Sequence, residues 1–466
     1  MNVVLIICDT VRHDYLGCYG SAWVRTPHLD ALAGGSAVMT RFHSASFPTG
    51  PMRKDVHSGR FTFAYTDWQS PRPPEEVLLS ETLAGAGVRT AYVGDTPNSP
   101  QYCLGFEDRR VVPHWAAGWE AVPEDVPLPA DPRKLRFPLA HARRIMRNAA
   151  AWDGEADRRA ARTMLAAHRW LEDRCADGDD RPFFLWVDTF DPHEPWDQPR
   201  YYTELYDPGY AGEELIEPAY EPADYASADE VRHMRCLYAG KLTMVDRWVG
   251  LLLEGLSRMP PASETAVIFT SDHGYYHGEH GLIGKLQLDR EGVPCRRWPL
   301  YDTIAHPPLL VRVPGITDGG REVDAFCQPP DLTATILELL GVDAPARVQG
   351  RSLLPLVRGR GGAARDGAVS SLTFATDEAV RCPSSFRTTD WLYVYGGDEW
   401  PSELYDLSAD PSETRNVFAN RRAEAERLHR RYLAFLESID CPRRSLDLRR
   451  AFDPSPRADL PYRRTL

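Results

Sequence analysis

Three short apolar runs, each followed by a carboxylate, constrain this chain more than any other feature. Val3-Val-Leu-Ile-Ile-Cys8 stops at Asp9. Pro182-Phe-Phe-Leu-Trp-Val187 runs into Asp188-Thr-Phe-Asp-Pro-His-Glu-Pro-Trp196, and Ala266-Val-Ile-Phe-Thr270 into Ser271-Asp272-His273-Gly274. A continuous apolar run of this length reads as a strand covered on both faces, the habit of a parallel sheet. Open α/β sheets gather their ligands beyond the C-terminal ends of the strands. Asp9, Asp191 with His193, and Asp272 with His273 are therefore the first candidates for a site.

Between and beyond these runs, residues 26–33, 78–86, 153–173, 229–256 and 331–340 carry helical spacing or helix-start signals, and 90–93 and 308–312 read as further strands. Strands alternating with helices predict an α/β fold, a mostly parallel sheet flanked by helices. Residues 105–150, rich in Pro, Arg and Trp, read as an irregular insertion covering the site. The Gly- and Arg-rich stretch 358–365 reads as a linker. After it the pattern changes to short strands over 384–407 and a polar helix over 420–437. The expected division is a catalytic domain over 1–357 and a smaller antiparallel α+β subdomain over 366–466. A chain of 466 residues is long enough for a large α/β domain with such an appendage.

A net charge of −13 argues against an extended nucleic-acid surface, while leaving room for a local basic pocket that takes a small anion. No stretch approaches the roughly 20 apolar residues of a membrane span, so no membrane partner is expected. The chain opens on a strand-like segment instead of a charged leader. Nine cysteines without regular spacing read as reduced thiols, which points to a cytoplasmic protein. A homo-oligomer is compatible with the sequence, which does not fix the oligomeric state.

The segment 46–60 carries the sharpest chemical signal. Thr49 precedes Gly50 and Pro51, a helix-start pattern, and Arg53 follows one turn later. A helix N-terminus presents free N–H groups to an anion, and an arginine one turn on can reach the same anion. The ordinary reading of Thr49 is a simple capping residue. Carboxylate, imidazole and hydroxyl groups at the strand ends suit a divalent ion such as Mn²⁺, Zn²⁺ or Mg²⁺. Such an ion would lower the pKa of the Thr49 hydroxyl and make it a nucleophile towards phosphorus or sulfur. Lys285, in the glycine-framed stretch 278–285, offers a further anion contact.

Taken in order, these segments resemble the sulfatase family of the alkaline phosphatase superfamily over nearly the full chain. Asp9-Thr-Val-Arg-His-Asp-Tyr-Leu-Gly-Cys-Tyr-Gly20 is similar to the family's metal-binding opening. Pro48-Thr-Gly-Pro-Met-Arg53 with Ser58-Gly-Arg60 is similar to its nucleophile signature, and Asp191-Pro-His-Glu-Pro-Trp196 to its catalytic-histidine loop. Thr270-Ser-Asp-His-Gly274, Gly278-Glu-His-Gly281 and Gly284-Lys285 resemble the second metal motif and the catalytic lysine. Pro307-Pro-Leu-Leu-Val-Arg312, Gln349-Gly-Arg-Ser-Leu353 and Glu403-Leu-Tyr-Asp-Leu407 fit later landmarks. The resemblance implies the family's fold, with His193 and Lys285 contacting the ester anion.

Two departures bear on the chemistry. Sulfatases carry Cys or Ser where this chain has Thr49, because that residue is oxidised to formylglycine; the Cβ methyl of threonine would give a ketone instead. An unmodified threonine resembles the nucleophile of phosphodiesterase and phosphoglycerol-transferase relatives. The pairs Asp9-Thr10 and Asp272-His273 also replace the all-oxygen Ca²⁺ set of many sulfatases, which shifts preference towards Mn²⁺ or Zn²⁺ over Ca²⁺ or Mg²⁺. Asp9, Thr49, Asp272 and His273 then resemble the one-metal site of phosphonate monoester hydrolases. The expectation is a metal-dependent hydrolase of phosphodiesters or phosphonate monoesters. Thr49 is its nucleophile; Arg53, Lys285 and His193 stabilise charge, and His193 or His306 protonates the leaving alcohol. The competing readings are a sulfate ester hydrolase, a phosphoryl transferase to an alcohol acceptor, and an inactive binding protein.

Overall fold

The computed structural model describes residues 1–66, 76–97, 103–115, 126–136, 138–361, 365–373 and 381–456. Its main sheet contains β1 (Asn2–Cys8), β2 (Ala37–Phe42), β3 (Arg89–Gly94), β4 (Asp108–Val111), β5 (Phe183–Thr189), β6 (Thr265–Thr270), β7 (Leu309–Arg312) and β8 (Arg321–Cys327). They lie in the order β8-β2-β7-β6-β1-β5-β3-β4. Every neighbouring pair is parallel except the two made by β7, which runs antiparallel to both β6 and β2. The expected strand at 308–312 is therefore present but points against the rest of the sheet.

Period-two alternation divides the buried strands between two cores. Val4, Ile6 and Cys8 of β1 face one apolar cluster with Leu185 and Val187 of β5 and Val267 and Phe269 of β6. Val3, Leu5 and Ile7 face the other, with Phe184, Trp186, Ala266 and Ile268. Helices cover both faces, as a sheet with no polar face requires. The helices used below are α1 (Thr49–Ser58), α2 (Leu139–Ala150), α3 (Arg159–Ala176), α4 (Ala228–Ser257), α5 (Pro329–Leu339) and α6 (Arg422–Ser438). Helices α3 and α4 supply Met164, Ala167, Met234 and Leu242 to the first core. Helices α1 and α5 supply Met52, Val56, Leu332 and Ile336 to the second. Helix α4 starts where Ser227 and Glu230 form a reciprocal cap: Glu230 N donates to Ser227 Oγ (3.3 Å) and Ser227 N to Glu230 Oε2 (2.8 Å).

The stretch 105–150 departs from the expected irregular insertion. It holds the edge strand β4 and the amphipathic helix α2; residues 116–125, between them, lie outside the described residues. Strands β2 and β8 have no counterpart in the sequence reading, because Thr40, Arg41, Arg321, Glu322 and Asp324 break their apolar pattern. Beyond 365 the strands β9 (Ala368–Ser371), β10 (Ser384–Arg387), β11 (Trp391–Tyr395) and β12 (Glu403–Asp406) form an antiparallel sheet under α6. Its apolar cluster also takes in Phe47, Phe61, Phe63 and Tyr276 from the first part of the chain. No described helix is long and apolar enough to cross a membrane.

A buried ion cluster fastens α3 and α4 to the end of β5. Asp191 accepts Arg159 Nε at 2.9 Å and Ala160 N at 3.2 Å, and Lys241 Nζ lies 3.2 Å from it. Burial alone would raise the Asp191 pKa, but Lys241 and Arg159 outweigh it and hold the carboxyl at about 2. A depressed carboxyl contributes stability above its unfolded pKa and loses it as pH falls through the folded value. Asp191→Asn is expected to cost about 3 kcal/mol at pH 7, since it removes the carboxylate shared by Arg159 and Lys241 and leaves Asp197, 2.6 Å from Lys241 and 3.8 Å from Arg159, as their remaining partner. That gap should narrow as pH drops from roughly 4 towards 2. Urea unfolding of both proteins across this range measures it.

Candidate active site

Sheet register brings the strand ends together. Ile7 pairs with Asp188 on one side and with Thr270 on the other, so Asp9 and Asp272 leave β1 and β6 at one level, while Asp188 sits one step back along the sheet, within the end of β5. The guanidinium of Arg53, on α1, lies among them, fully buried. Its Nε donates to Asp188 (2.9 Å), its Nη2 to Asp188 Oδ1 (2.8 Å), and its Nη1 to Asp272 Oδ2 (2.8 Å), with Asp9 Oδ2 3.3 Å away. Nη1 also donates to Thr49 O at 3.0 Å. The sequence aimed Arg53 at an incoming anion; its fork is instead taken up by the protein's own carboxylates.

Thr49 is the first residue of α1, and the N-cap position is held by Pro48. The capping reading therefore fails. Its Oγ1 lies 3.3 Å from His273 Nε2. Ahead of the helix, Phe47 N donates to Ser371 O (2.9 Å), hooking the segment onto the edge of β9. Inside it, Asp55 accepts Ser46 N, Ser46 Oγ, Thr62 N and Thr62 Oγ1 at 2.6–2.8 Å. Gly59, at φ 69°, ends the helix and donates its N–H to Asp55 O. The hydroxyl of Thr49 thus stands on a tightly bound turn.

His273 Nδ1 faces Gly274 O at 2.9 Å. The N–H donates there, which leaves a lone pair on Nε2 towards Thr49. Burial, opposed by Asp272, pushes the imidazole down to about 3, so the ring is neutral. Asp9 and Asp272 share one buried space. Burial and the Asp272 charge raise Asp9 well above the usual range, whereas Asp272, despite its own burial, is held down by Arg53. Between them sits a strained residue. Thr10 is β-branched yet has φ 65°, and from there its N–H reaches Asp272 Oδ1 (2.9 Å) and its hydroxyl Asp9 Oδ1 (2.5 Å).

These groups fit a divalent cation. Ligand atoms of Asp9, Asp272 and His273 lie within 4.8 Å of one another. Asp9 Oδ2 is buried without a hydrogen-bond partner, and His273 Nε2 turns its lone pair to the same space, 3.3 Å from Thr49 Oγ1. Two carboxylates and a neutral imidazole, its second nitrogen fixed by a carbonyl, are a ligand set for Zn²⁺ or Mn²⁺.

Thr49 lies at the floor of a cleft of about 910 Å³ that Lys285 and His193 also line. Lys285 Nζ is 4.0 Å from Asp9 Oδ1, and burial lowers its pKa against the pull of Asp9. His193 stacks on Phe190 at 3.9 Å, and its Nδ1–H donates to Glu194 O at 2.7 Å. Burial and then Lys285 hold it well below the usual imidazole value. Farther out, Arg136 Nη1 meets Glu194 Oε1 (3.1 Å) and Glu217 (3.6 Å) and lies over Tyr220.

The structure thus gathers Asp9, Thr49, Arg53, Asp272, His273 and Lys285, with His193 on the same cleft wall. Asp191, weighed as a ligand, is bound to Arg159 and Lys241 instead. His306 faces Asp302, beside His13 and His43, and does not line the cleft. Asp188 is the residue the sequence reading passed over. It directly follows the apolar run ending at Val187, as Asp9 follows Cys8, and that equivalence was the available signal.

Two family models match the chain. One described as Sulfatase covers residues 1–342, and one described as N-sulphoglucosamine sulphohydrolase, C-terminal, covers 293–436. An ulvan-active sulfatase of Formosa agariphila is 26% identical, over 91% of this chain and 78% of that one. A multifunctional alkaline phosphatase superfamily protein, PehA, of Trinickia caryophylli is 24% identical, over 89% and 91%. Among solved structures, a phosphonate monoester hydrolase of Agrobacterium radiobacter superposes with a TM-score of 0.73 at 23% identity, over 94% and 95% of the two chains.

Because Arg53 is the cation among three buried carboxylates, Arg53→Met is expected to destabilise the protein by about 3–5 kcal/mol. Arg53→Lys keeps the charge without the fork and should recover only part of the loss. Guanidinium unfolding of the two variants beside the wild type provides the comparison.

Proposed function

The chain belongs to the sulfatase family, and we propose that within it the protein is a metal-dependent hydrolase of phosphodiesters or phosphonate monoesters, with unmodified Thr49 as nucleophile. The observation that carries this reading is a threonine hydroxyl at the first residue of a buried helix, 3.3 Å from a neutral imidazole nitrogen. Mn²⁺ or Zn²⁺ held by Asp9, Asp272 and His273 would supply the positive charge that lowers the pKa of that hydroxyl. Arg53 keeps the carboxylates in register. The free N–H groups at the start of α1, with Lys285, receive the non-bridging oxygens of the ester.

Thr49 Oγ1 gives up its proton to solvent and attacks phosphorus, and the P–O bond to the leaving alcohol breaks. His193, neutral in the free site, takes up a proton as the anion binds and passes it to that alcohol. Water then attacks phosphorus and frees Thr49. Phosphorus accepts that second attack, so no aldehyde is required. Phe190, Trp115 and Leu288 give the cleft an apolar wall for the alcohol portion.

Sulfate ester hydrolysis is the second reading, favoured by the nearly full-length similarity to the ulvan-active sulfatase. A sulfo-threonine has no comparably easy route to cleavage, which places phosphorus esters first. Aryl phosphodiester, aryl phosphonate and aryl sulfate turnover, measured with Mn²⁺ and with Zn²⁺, separates the two. Higher kcat/KM on the phosphorus esters is expected, and a preference for sulfate would overturn the assignment. Thr49→Ala should lower kcat by at least about 10³-fold; full turnover in that variant would remove Thr49 from the reaction.

A further inference from the structure

One carboxylate of the cleft wall has one oxygen fully engaged and the other idle. Glu194 directly follows His193 in the loop after β5, and its side chain is fully buried. Its Oε1 accepts from Tyr220 Oη and from Arg136 Nη1, the latter at 3.1 Å. Arg136 lies over the Tyr220 ring and 3.6 Å from Glu217, which is itself 3.0 Å from His141 Nε2. The plane of the Glu194 carboxylate is thereby fixed. Oε2 is buried without a hydrogen-bond partner, 3.1 Å from His193 Nδ1.

The imidazole beside it faces two ways. Nδ1–H donates to Glu194 O at 2.7 Å, so Oε2 meets the ring as a charge and not as a second acceptor. Among the described residues nothing bonds to Nε2, which opens on the cleft that Lys285 also lines. Burial, then Lys285, Arg136 and His273, oppose a second proton on this ring. Glu194 is the carboxylate set against them. A buried carboxylate oxygen without a donor is costly beside a neutral ring, and a positive charge on the ring relieves that cost.

We propose that Glu194 is a positioning residue for ester cleavage, whose Oε2 stabilises protonated His193 and keeps its Nε2–H directed at the leaving oxygen. The inference rests on the reaction proposed above, in which His193 donates to the leaving alcohol. The proton delivered is the one on Nε2: that N–H bond breaks, its electron pair stays on the ring, and the alcohol oxygen takes the proton as its bond to phosphorus opens. Nδ1–H stays in place and Glu194 remains a carboxylate throughout, the part played by an acid that orients a catalytic histidine. Without Oε2 the surrounding cations keep the ring neutral, and no proton is at hand for the alcohol.

A proton matters most to a poor leaving group. Phenolate is basic and gains from protonation as its bond breaks, whereas 4-nitrophenolate departs readily without it. A role exerted through His193 therefore separates two esters of nearly equal size. Loss of packing around Glu194 would slow both alike.

The test measures kcat and KM of the full-length, metal-loaded enzyme on the phenyl and 4-nitrophenyl monoesters of phenylphosphonic acid. If sulfate proves the preferred ester, the corresponding pair of aryl sulfates serves, so failure of the phosphorus assignment is read separately. Glu194→Gln is expected to lose at least about tenfold more kcat on the phenyl ester than on the 4-nitrophenyl ester, with KM altered alike for both. His193→Gln should show the same split, and Glu194→Gln should add none in that background. Equal losses on the two esters in Glu194→Gln would overturn the proposal. A split missing from His193→Gln removes the acid assigned above, and this role with it. If Glu194→Gln fails to fold, Tyr220→Phe, which releases Oε1, is measured in its place; the same split supports the proposal and an unaltered ratio refutes it.

Discussion

Three carboxylates at the ends of adjacent strands cannot share a dry space without a cation, and Arg53 is the one the chain supplies. Asp9 and Asp272 follow β1 and β6 at one level, Asp188 lies within the end of β5, and the guanidinium reaches all three from α1. One ion network therefore sets where the sheet ends, where the helix begins and where Thr49 stands. The planar fork suits this task, because it satisfies several acceptors at fixed angles while its charge stays on at any ordinary pH. Lys285 adds a second positive charge at the edge, and the ligand atom left over on Asp9 marks where a third fits.

Much of this was readable in the chain. Apolar runs ending in Asp9 and Asp272 located two strands and their carboxylates, and the helix-start pattern located Thr49. His193 was legible at the end of its apolar run and Lys285 in its glycine-framed stretch, the family resemblance pointed to both again, and both line the cleft. What could not be read was register. Arg53 looked like an anion donor because nothing in the residues around it reveals Asp188 and Asp272, which lie 135 and 219 positions away in sequence. Asp191 looked like a ligand because its cationic partners come from α3 and α4. His306 looked like an acid because His13 and His43, its neighbours, belong to other loops. β2 and β8 escaped because exposed strand positions carry charge, and periodicity alone does not separate such a strand from a loop.

One strained residue lies where the chemistry is expected. A β-branched residue at positive φ is costly, and Thr10 bears that cost in order to donate to both Asp9 and Asp272. Tyr238 on α4 secures the turn by donating to Thr10 O and accepting from Arg12 N. The two aspartates are therefore held apart and oriented before any ion arrives, a preorganised site whose stability is supplied by the sheet beneath it.

The central place of β1 has a consequence for how the molecule is made. Its neighbours are β5 and β6, so β1 leaves the ribosome well before the segments with which it pairs, which end at Thr189 and Thr270. Until those are synthesised, Val3 to Cys8 has no sheet to join and exposes apolar side chains on both faces. Such a nascent chain depends on early compaction or chaperone binding, because long-range pairing is slow and leaves unpaired strands open to aggregation. The ion network around Arg53 forms only after β6 has docked, so the site assembles as a late event of folding.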